Sequence, residues 1–151
     1  MNITTRGQYG VKAMFELAMR YGEGPIPLRQ VAEQQNLPEH YLEQLMGPLR
    51  KAELVRSVRG AQGGYMLGRD PSEITVGEIL RVLEGPLLPV DCAADDPEAY
   101  AYCPSGESCT IRGVWVKIRD AVNETIDSIT LADLREEELA KMRRGRITYY
   151  I

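Results

Sequence analysis

Between residues 8 and 21 apolar side chains return every three or four positions, at Val11, Met14, Phe15, Ala18 and Met19. That spacing draws one stripe down a helix, and the stripe must face a core. "GEGP" at 22–25 ends the helix. A shorter amphipathic run at about 28–35 carries Leu28, Val31 and Ala32, and "NLPEHYLEQLMGPLRKA" carries the next stripe in Tyr41, Leu42, Leu45, Met46 and Leu49. Pro38 suits a first helical position, whereas Pro48 inside the run predicts a kink or a tightened last turn. The period then shortens. Leu54, Val55, Ser57 and Val58 lead into a glycine-rich turn and return through Tyr65, Met66 and Leu67, which predicts a β-hairpin. "SEITVGEILRVLEG" predicts a capped helix, with Thr75 as N-cap and Glu78 closing a capping box.

From Gly85 to about Ile111 no periodicity survives. So long an unpatterned connection in an ordered domain is either functional or disordered. Beyond it, Ile111, Val114, Trp115, Ile118, Ala121, Val122, Thr125, Ile126 and Ile129 hold helical spacing for about five turns. One small domain offers little surface to cover that stripe, and the equivalent helix of a second subunit would cover it. "TLADLREEELAKMRRGR" predicts a polar terminal helix capped by Thr130, and the "ITYYI" tail carries no signal. The expected fold is mainly α with a small β-hairpin wing. It divides into a winged helix-turn-helix domain at 1–84, a cysteine-containing loop at 85–112, and a dimerisation helix, terminal helix and tail at 113–151.

Turn chemistry supports the helix-turn-helix assignment. Val31 and Ala32 put small apolar groups where two helices cross, Asn36 suits the left-handed turn position, and Leu37, Leu42 and Leu45 return to the core. The opposite face of the helix at 38–51 then presents Glu39, His40, Glu43, Gln44 and Lys51, with Tyr41 near its start. Gln44 can pair with adenine and Glu43 can accept from cytosine. Arg56 and Arg59 flank the wing tip, where cations enter a minor groove or clamp phosphates. Charge agrees with this division. The net charge of -4 hides nine Lys/Arg against six Asp/Glu in residues 1–69 (+3) and nine against sixteen in residues 70–151 (-7). A basic front half suits a polyanion.

No apolar run is long enough to span a bilayer, and the opening "MNITTRGQYG" lacks the basic-then-apolar order of a signal peptide, so the expected location is the cytoplasm. All three cysteines, Cys92, Cys103 and Cys109, fall in the unpatterned loop. In a reducing compartment such a cluster points to metal binding or redox chemistry, since an odd number cannot pair fully within the chain. A structural zinc site is disfavoured, because paired CxxC spacing and a fourth Cys or His are missing. An enzyme is not expected, because no serine or cysteine has a base apparent in the sequence.

"TTRGQYGVKAMFELA", "EHYLEQLMGPLRKAELVRSVRGAQGGYMLG", "ITVGEILRVLEGP" and "IRDAVNETI" together resemble the bacterial winged-helix regulator family that contains IscR, NsrR and CymR, over nearly the whole chain. The resemblance implies a homodimeric transcription factor, joined through the long helix after the loop, that binds a palindromic double-stranded operator. By likeness to IscR, Cys92, Cys103 and Cys109 map onto the ligands of a 2Fe-2S cluster, through which a repressor of cluster-assembly or sulfur-metabolism genes would sense iron-sulfur cluster, redox or nitric oxide status. The histidine ligand expected three residues after the third cysteine is Arg112 here, and a guanidinium cannot ligate iron. Candidate fourth ligands are Gln8 of the partner subunit, Asp91 and Glu107. "EHYLEQL", "RGAQGGY" and "VLEGP" look closest to CymR-like members. Those imply the alternative of a cluster-free regulator of cysteine metabolism, controlled by a cysteine-synthesis enzyme or a thiol switch.

Overall fold

The computed structural model describes residues 1–150, with side chains through residue 146; Ile151, the end of the tail, lies outside the described residues. The order is α1 (Thr5–Met19), α2 (Leu28–Gln35), α3 (Glu39–Lys51), β1 (Val55–Val58), β2 (Gly64–Leu67), α4 (Val76–Glu84), α5 (Thr110–Asp127) and α6 (Leu131–Tyr150). This is the mainly α architecture with a hairpin wing that the periodicity predicts. Met14, Leu42, Leu45, Met46, Leu49, Leu54, Ile74 and Ile79 are buried at its centre. Each such side chain contributes about 1.5–3 kcal/mol by leaving water. Among the described residues no helix is long and apolar enough to cross a membrane.

The two helix ends that frame α3 are closed in the same way. Asn36 sits at φ 54° and ψ 51°. There its N–H bonds the Glu33 carbonyl while the Leu37 N–H reaches back to Ala32 at 2.8 Å. This left-handed closure satisfies the free carbonyls of α2 and turns the chain into α3 with Leu37 buried. At the other end of α3, Glu53 takes φ 62°, a position that glycine usually fills. Its N–H bonds Arg50 at 2.9 Å and the Leu54 N–H bonds Leu49 at 3.0 Å. α3 runs through Pro48 to Lys51 rather than stopping at it. Gly47 helps, because the clash that pushes a pre-proline residue off the helical region comes partly from its Cβ.

β1 and β2 pair antiparallel with Val55 opposite Leu67 and Val58 opposite Gly64. Tyr65 fastens the hairpin to the body by exchanging two 2.8 Å backbone hydrogen bonds with Ile26. Gly64, at φ 154°, is required there, since a Cβ would lie 2.2 Å from the Ile26 carbonyl oxygen.

α1 begins at Thr5, three residues before the segment at 8–21 that the periodicity marks, because a distant residue caps it. Glu84, the last residue of α4, uses one carboxylate oxygen to accept from Thr4 N–H at 2.8 Å, Thr4 Oγ1 at 2.7 Å and Gly7 N–H at 2.9 Å. Arg6 returns the favour by donating its Nε–H to the Leu83 carbonyl at 2.9 Å. Each helix therefore satisfies donors or acceptors at the other's terminus, and each charge suits the dipole of the helix it reaches across to.

The capping box of α4 is present as expected, with Glu78 N–H on Thr75 Oγ1 at 3.1 Å. Thr130 caps α6 with Asp133 as its reciprocal partner. The terminal helix is less polar in role than its sequence suggests, since Leu131 is fully buried and Leu134 packs on the core. The 85–112 segment also departs from expectation. Short 3-10 turns at Asp91–Ala93, Pro97–Tyr100 and Gly106–Ser108 give it local order.

Candidate nucleic-acid interface and cysteine loop

With Leu42, Leu45, Met46 and Leu49 buried, α3 leaves a face that carries Glu39, His40, Glu43, Gln44, Arg50 and Lys51 to solvent. Tyr41 is the exception in the expected set. It is half-buried, its ring edge-on to Tyr9 at 5.3 Å between centroids, so its bulk belongs to the α1–α3 packing. Arg59 is exposed in the turn between the strands, as a wing-tip cation should be. Arg56 does not flank the tip. It lies on β1 opposite Met66, where its Nη2 donates to the Gly68 carbonyl at 3.4 Å. Its partners at the hairpin base, Arg50 and Arg69, were not singled out by sequence, because only the fold brings the end of α3 beside both strands.

Two arginines one heptad apart on α5 hold the cysteine loop. Arg112 donates to the Cys92 carbonyl at 2.7 Å and the Ala94 carbonyl at 3.0 Å, and its guanidinium lies 4.4 Å over the Tyr100 ring. Arg119 donates to the Ala93 carbonyl at 2.6 Å and to Asp95 at 2.8 Å, and pairs with Asp120. Three consecutive carbonyls are thus clasped to one helix face. Hydrogen bonds to Asp95 and Asp120 raise the Arg119 pKa above its ordinary value. Burial, with Glu107 accepting from its hydroxyl at 3.2 Å, pushes Tyr100 above the usual tyrosine range.

The thiols stand differently from what a cluster requires. Cys92 and Cys109 are half-buried, whereas Cys103 is exposed beside Tyr102, whose side chain is 99% accessible. Among the described residues no three His, Cys, Asp or Glu side chains form a group that could hold a metal ion. Two of the three candidate fourth-ligand residues make side-chain hydrogen bonds in the single chain. Gln8 Nε2 donates to the Ile3 carbonyl, Glu107 accepts from Tyr100, and Asp91 is exposed at the first 3-10 turn. Arg112, where the family resemblance expects a histidine, is committed to carbonyls and an aromatic face. In this arrangement the residues do not fit a 2Fe-2S cluster, although three thiols on one loop are the right chemistry for one.

α5 itself is tied back to α4. Arg81 donates to Asn123 Oδ1 at 3.0 Å and pairs closely with Asp127. The loop, the dimer-helix candidate and the helix that caps α1 therefore form one connected unit, with Glu84 where it meets α1.

Residues 3–137 match the family model Rrf2, described as an iron-dependent transcriptional regulator. The HTH-type transcriptional regulator CymR of Bacillus subtilis is 52% identical over 134 residues, covering 89% of each chain. Its solved structure, described as that of the global cysteine regulator, aligns with a TM-score of 0.75 at 50% identity, over 91% of this chain and 98% of that one. The solved structure of T. potens IscR aligns with a TM-score of 0.72 at 47% identity, over 91% of this chain and 88% of that one.

Proposed function

The chain belongs to the Rrf2 family of DNA-binding transcriptional regulators, and on that premise we propose that it is a homodimeric repressor whose cysteine loop senses iron-sulfur, sulfur or redox status. It would act on a palindromic operator of genes for cluster assembly or sulfur metabolism. In this reading α3 offers Glu39, His40, Glu43, Gln44 and Lys51 to the major groove, and Arg59 reaches the adjacent minor groove. α5 supplies the dimer contact. What supports this is that none of its residues is buried within its own chain, while Ile111, Val114 and Ile118 lie 58%, 47% and 40% exposed at three- and four-residue spacing.

The sensing role is carried by one observation, the clasp of Arg112 and Arg119 on the carbonyls of residues 92–94. Any event at Cys92 or Cys109 that displaces this segment frees the first turns of α5, and α5 is bonded to α4 through Arg81. A signal changes DNA affinity only if the clasped and released forms bind DNA differently. Such couplings typically reach about 1–3 kcal/mol, or roughly 5–150-fold in affinity.

Two chemistries at the thiols compete. A cluster-free sensor, in which the thiols oxidise or a cysteine-synthesis enzyme docks on the loop, is favoured by the dispersed thiols and by the engagement of Arg112. A 2Fe-2S cluster on Cys92, Cys103 and Cys109, completed by Gln8 of the partner subunit, Asp91 or Glu107, is favoured by three thiols in one loop and by the likeness to IscR. That second reading requires the three thiols to be drawn together.

Anaerobic purification followed by iron and sulfide analysis separates the two. Iron, sulfide and visible absorbance that Cys103→Ala abolishes establish the cluster; their absence excludes it. Duplex binding by wild type, a triple Cys→Ser variant and Arg112→Gln, under reducing and oxidising conditions, tests sensing itself. Identical affinities for all three in every condition would remove the loop from regulation.

A further inference from the structure

The base of the wing forms a cleft of about 580 Å³ whose walls carry Arg50 from α3, Arg56 from β1, Arg69 just beyond β2, and Glu53. The three arginines come from α3, β1 and the segment after β2, and all line this one space. The Arg50 side chain has no hydrogen bond or ion pair among the described residues. Arg56 has one long bond to a carbonyl, which leaves most of its fork open. Arg69 is steadied by Glu78 at 3.2 Å and by the Glu73 carbonyl at 3.4 Å, which fixes the cation at the cleft edge. Glu53 supplies the single carboxylate of the lining, and with Arg69 paired to Glu78 the two cations without a carboxylate partner are Arg50 and Arg56.

Planar guanidinium forks match the oxygens of a carboxylate or a phosphate, and phosphate is the group that a duplex presents. The position of the cleft selects which phosphate. Arg50 is seven residues after Glu43, two helical turns along the same exposed face of α3, and Arg56 leads from the cleft into the wing. A duplex lying along that face has to carry its backbone across the mouth of the cleft. We infer that this three-arginine cleft is a phosphate-binding site that seats one or two backbone phosphodiesters of bound DNA and fixes the wing relative to α3. It rests on the DNA-binding reading above and adds Arg50 and Arg69 to the interface. Its contribution is sequence-independent, since phosphate contacts position the protein without reading bases.

A labelled duplex of about 30 base pairs and mixed sequence, titrated between about 50 and 200 mM salt, tests this without knowledge of an operator. Each lost phosphate contact lowers the salt slope by about 0.9, so the ratio of affinities across that fourfold range shrinks by about 3.5-fold per arginine. Arg50→Ala, whose side chain holds nothing else in place, and Arg69→Ala should each show this loss, whereas Lys141→Ala on α6 should not. Glu53→Gln should tighten binding at every salt concentration. Wild-type binding with unchanged slopes for Arg50→Ala and Arg69→Ala overturns the cleft while leaving the DNA-binding reading intact. If wild type binds no duplex, the DNA-binding reading fails and the inference with it. Thermal stabilisation by inorganic phosphate that Arg50→Ala abolishes would, in that event, assign the cleft to a free phosphate and overturn the backbone assignment.

Discussion

Removing the Glu84 carboxylate should loosen α1 from the far side of the molecule. In Glu84→Ala the Thr4 N–H, Thr4 hydroxyl and Gly7 N–H lose their shared acceptor at once. The two Thr4 donors are exposed and can turn to water, so their loss is small. The Gly7 N–H is partly buried and cannot, and leaving such a donor unpaired costs about 1–3 kcal/mol. Loss of the negative charge at a helix N-terminus adds about 0.3–1 kcal/mol. Alanine recovers a few tenths through helix propensity at the end of α4. The net expectation is about 2 kcal/mol, or a fall in Tm of about 4–8 °C for a chain of this size at fixed protein concentration. Glu84→Gln keeps an acceptor oxygen but not the charge, and should lose about half as much.

The same oxygen lies 2.5 Å from where a Cβ on Gly7 would stand. Gly7→Ala therefore displaces the carboxylate by a different route, and the double variant should be far less destabilised than the sum of the singles. Urea unfolding of the four proteins gives this cycle, and amide exchange at residues 4–8 should accelerate in each variant. A Glu84→Ala protein within about 0.5 kcal/mol of wild type, or strictly additive variants, would refute the cross-helix cap.

Ile118→Glu should convert a dimer to monomer in sedimentation without unfolding it, because the side chain is already 40% exposed in the single chain; an unchanged mass would exclude α5 as the interface. Gly64→Ala should destabilise the hairpin, by about 1–3 kcal/mol if the backbone must shift to relieve a contact 2.2 Å from Ile26, and should weaken duplex binding through the wing; retention of both would contradict the role given to Gly64. The pKa of Tyr100 is raised in the folded chain, so protection of loop amides should hold below about pH 10 and fall as pH rises beyond it, because the folded state disfavours the phenolate. Tyr100→Phe should flatten that dependence, and an identical fall in the variant would assign the loss elsewhere.

What was legible in the sequence was what neighbouring residues decide. Asn36 announced the left-handed turn, Thr75 with Glu78 the start of α4, and the change of period at Leu54 the hairpin, because each depends on contacts within a few residues. The cap on α1 was not legible, since Thr4 and Glu84 are 80 residues apart. The arginine cleft was hidden for the same reason. Tyr41 carried two contradictory signals, an apolar period and a place on the reading helix, and its contact with Tyr9 shows that packing uses most of its ring. The 3-10 turns of the loop did leave a trace. Asp70-Pro71-Ser72 and Asp96-Pro97-Glu98 are the same punctuation, and in both the aspartate accepts from the N–H two residues on, at 2.9 and 3.0 Å. Read as a turn signal, the second would have given the cysteine loop its local order in advance.

The grip of Arg112 and Arg119 falls mainly on main-chain oxygens, and every residue type brings the same oxygen to that place. Side chains at 92–94 can therefore diverge, or the thiol at 92 can be exchanged for serine, with the docking pattern itself still available. What the clasp recognises is a length of chain rather than a composition. An insertion or deletion ahead of residue 92 should disturb it more than any single substitution within it, and related proteins can keep this docking while rewriting what the loop detects.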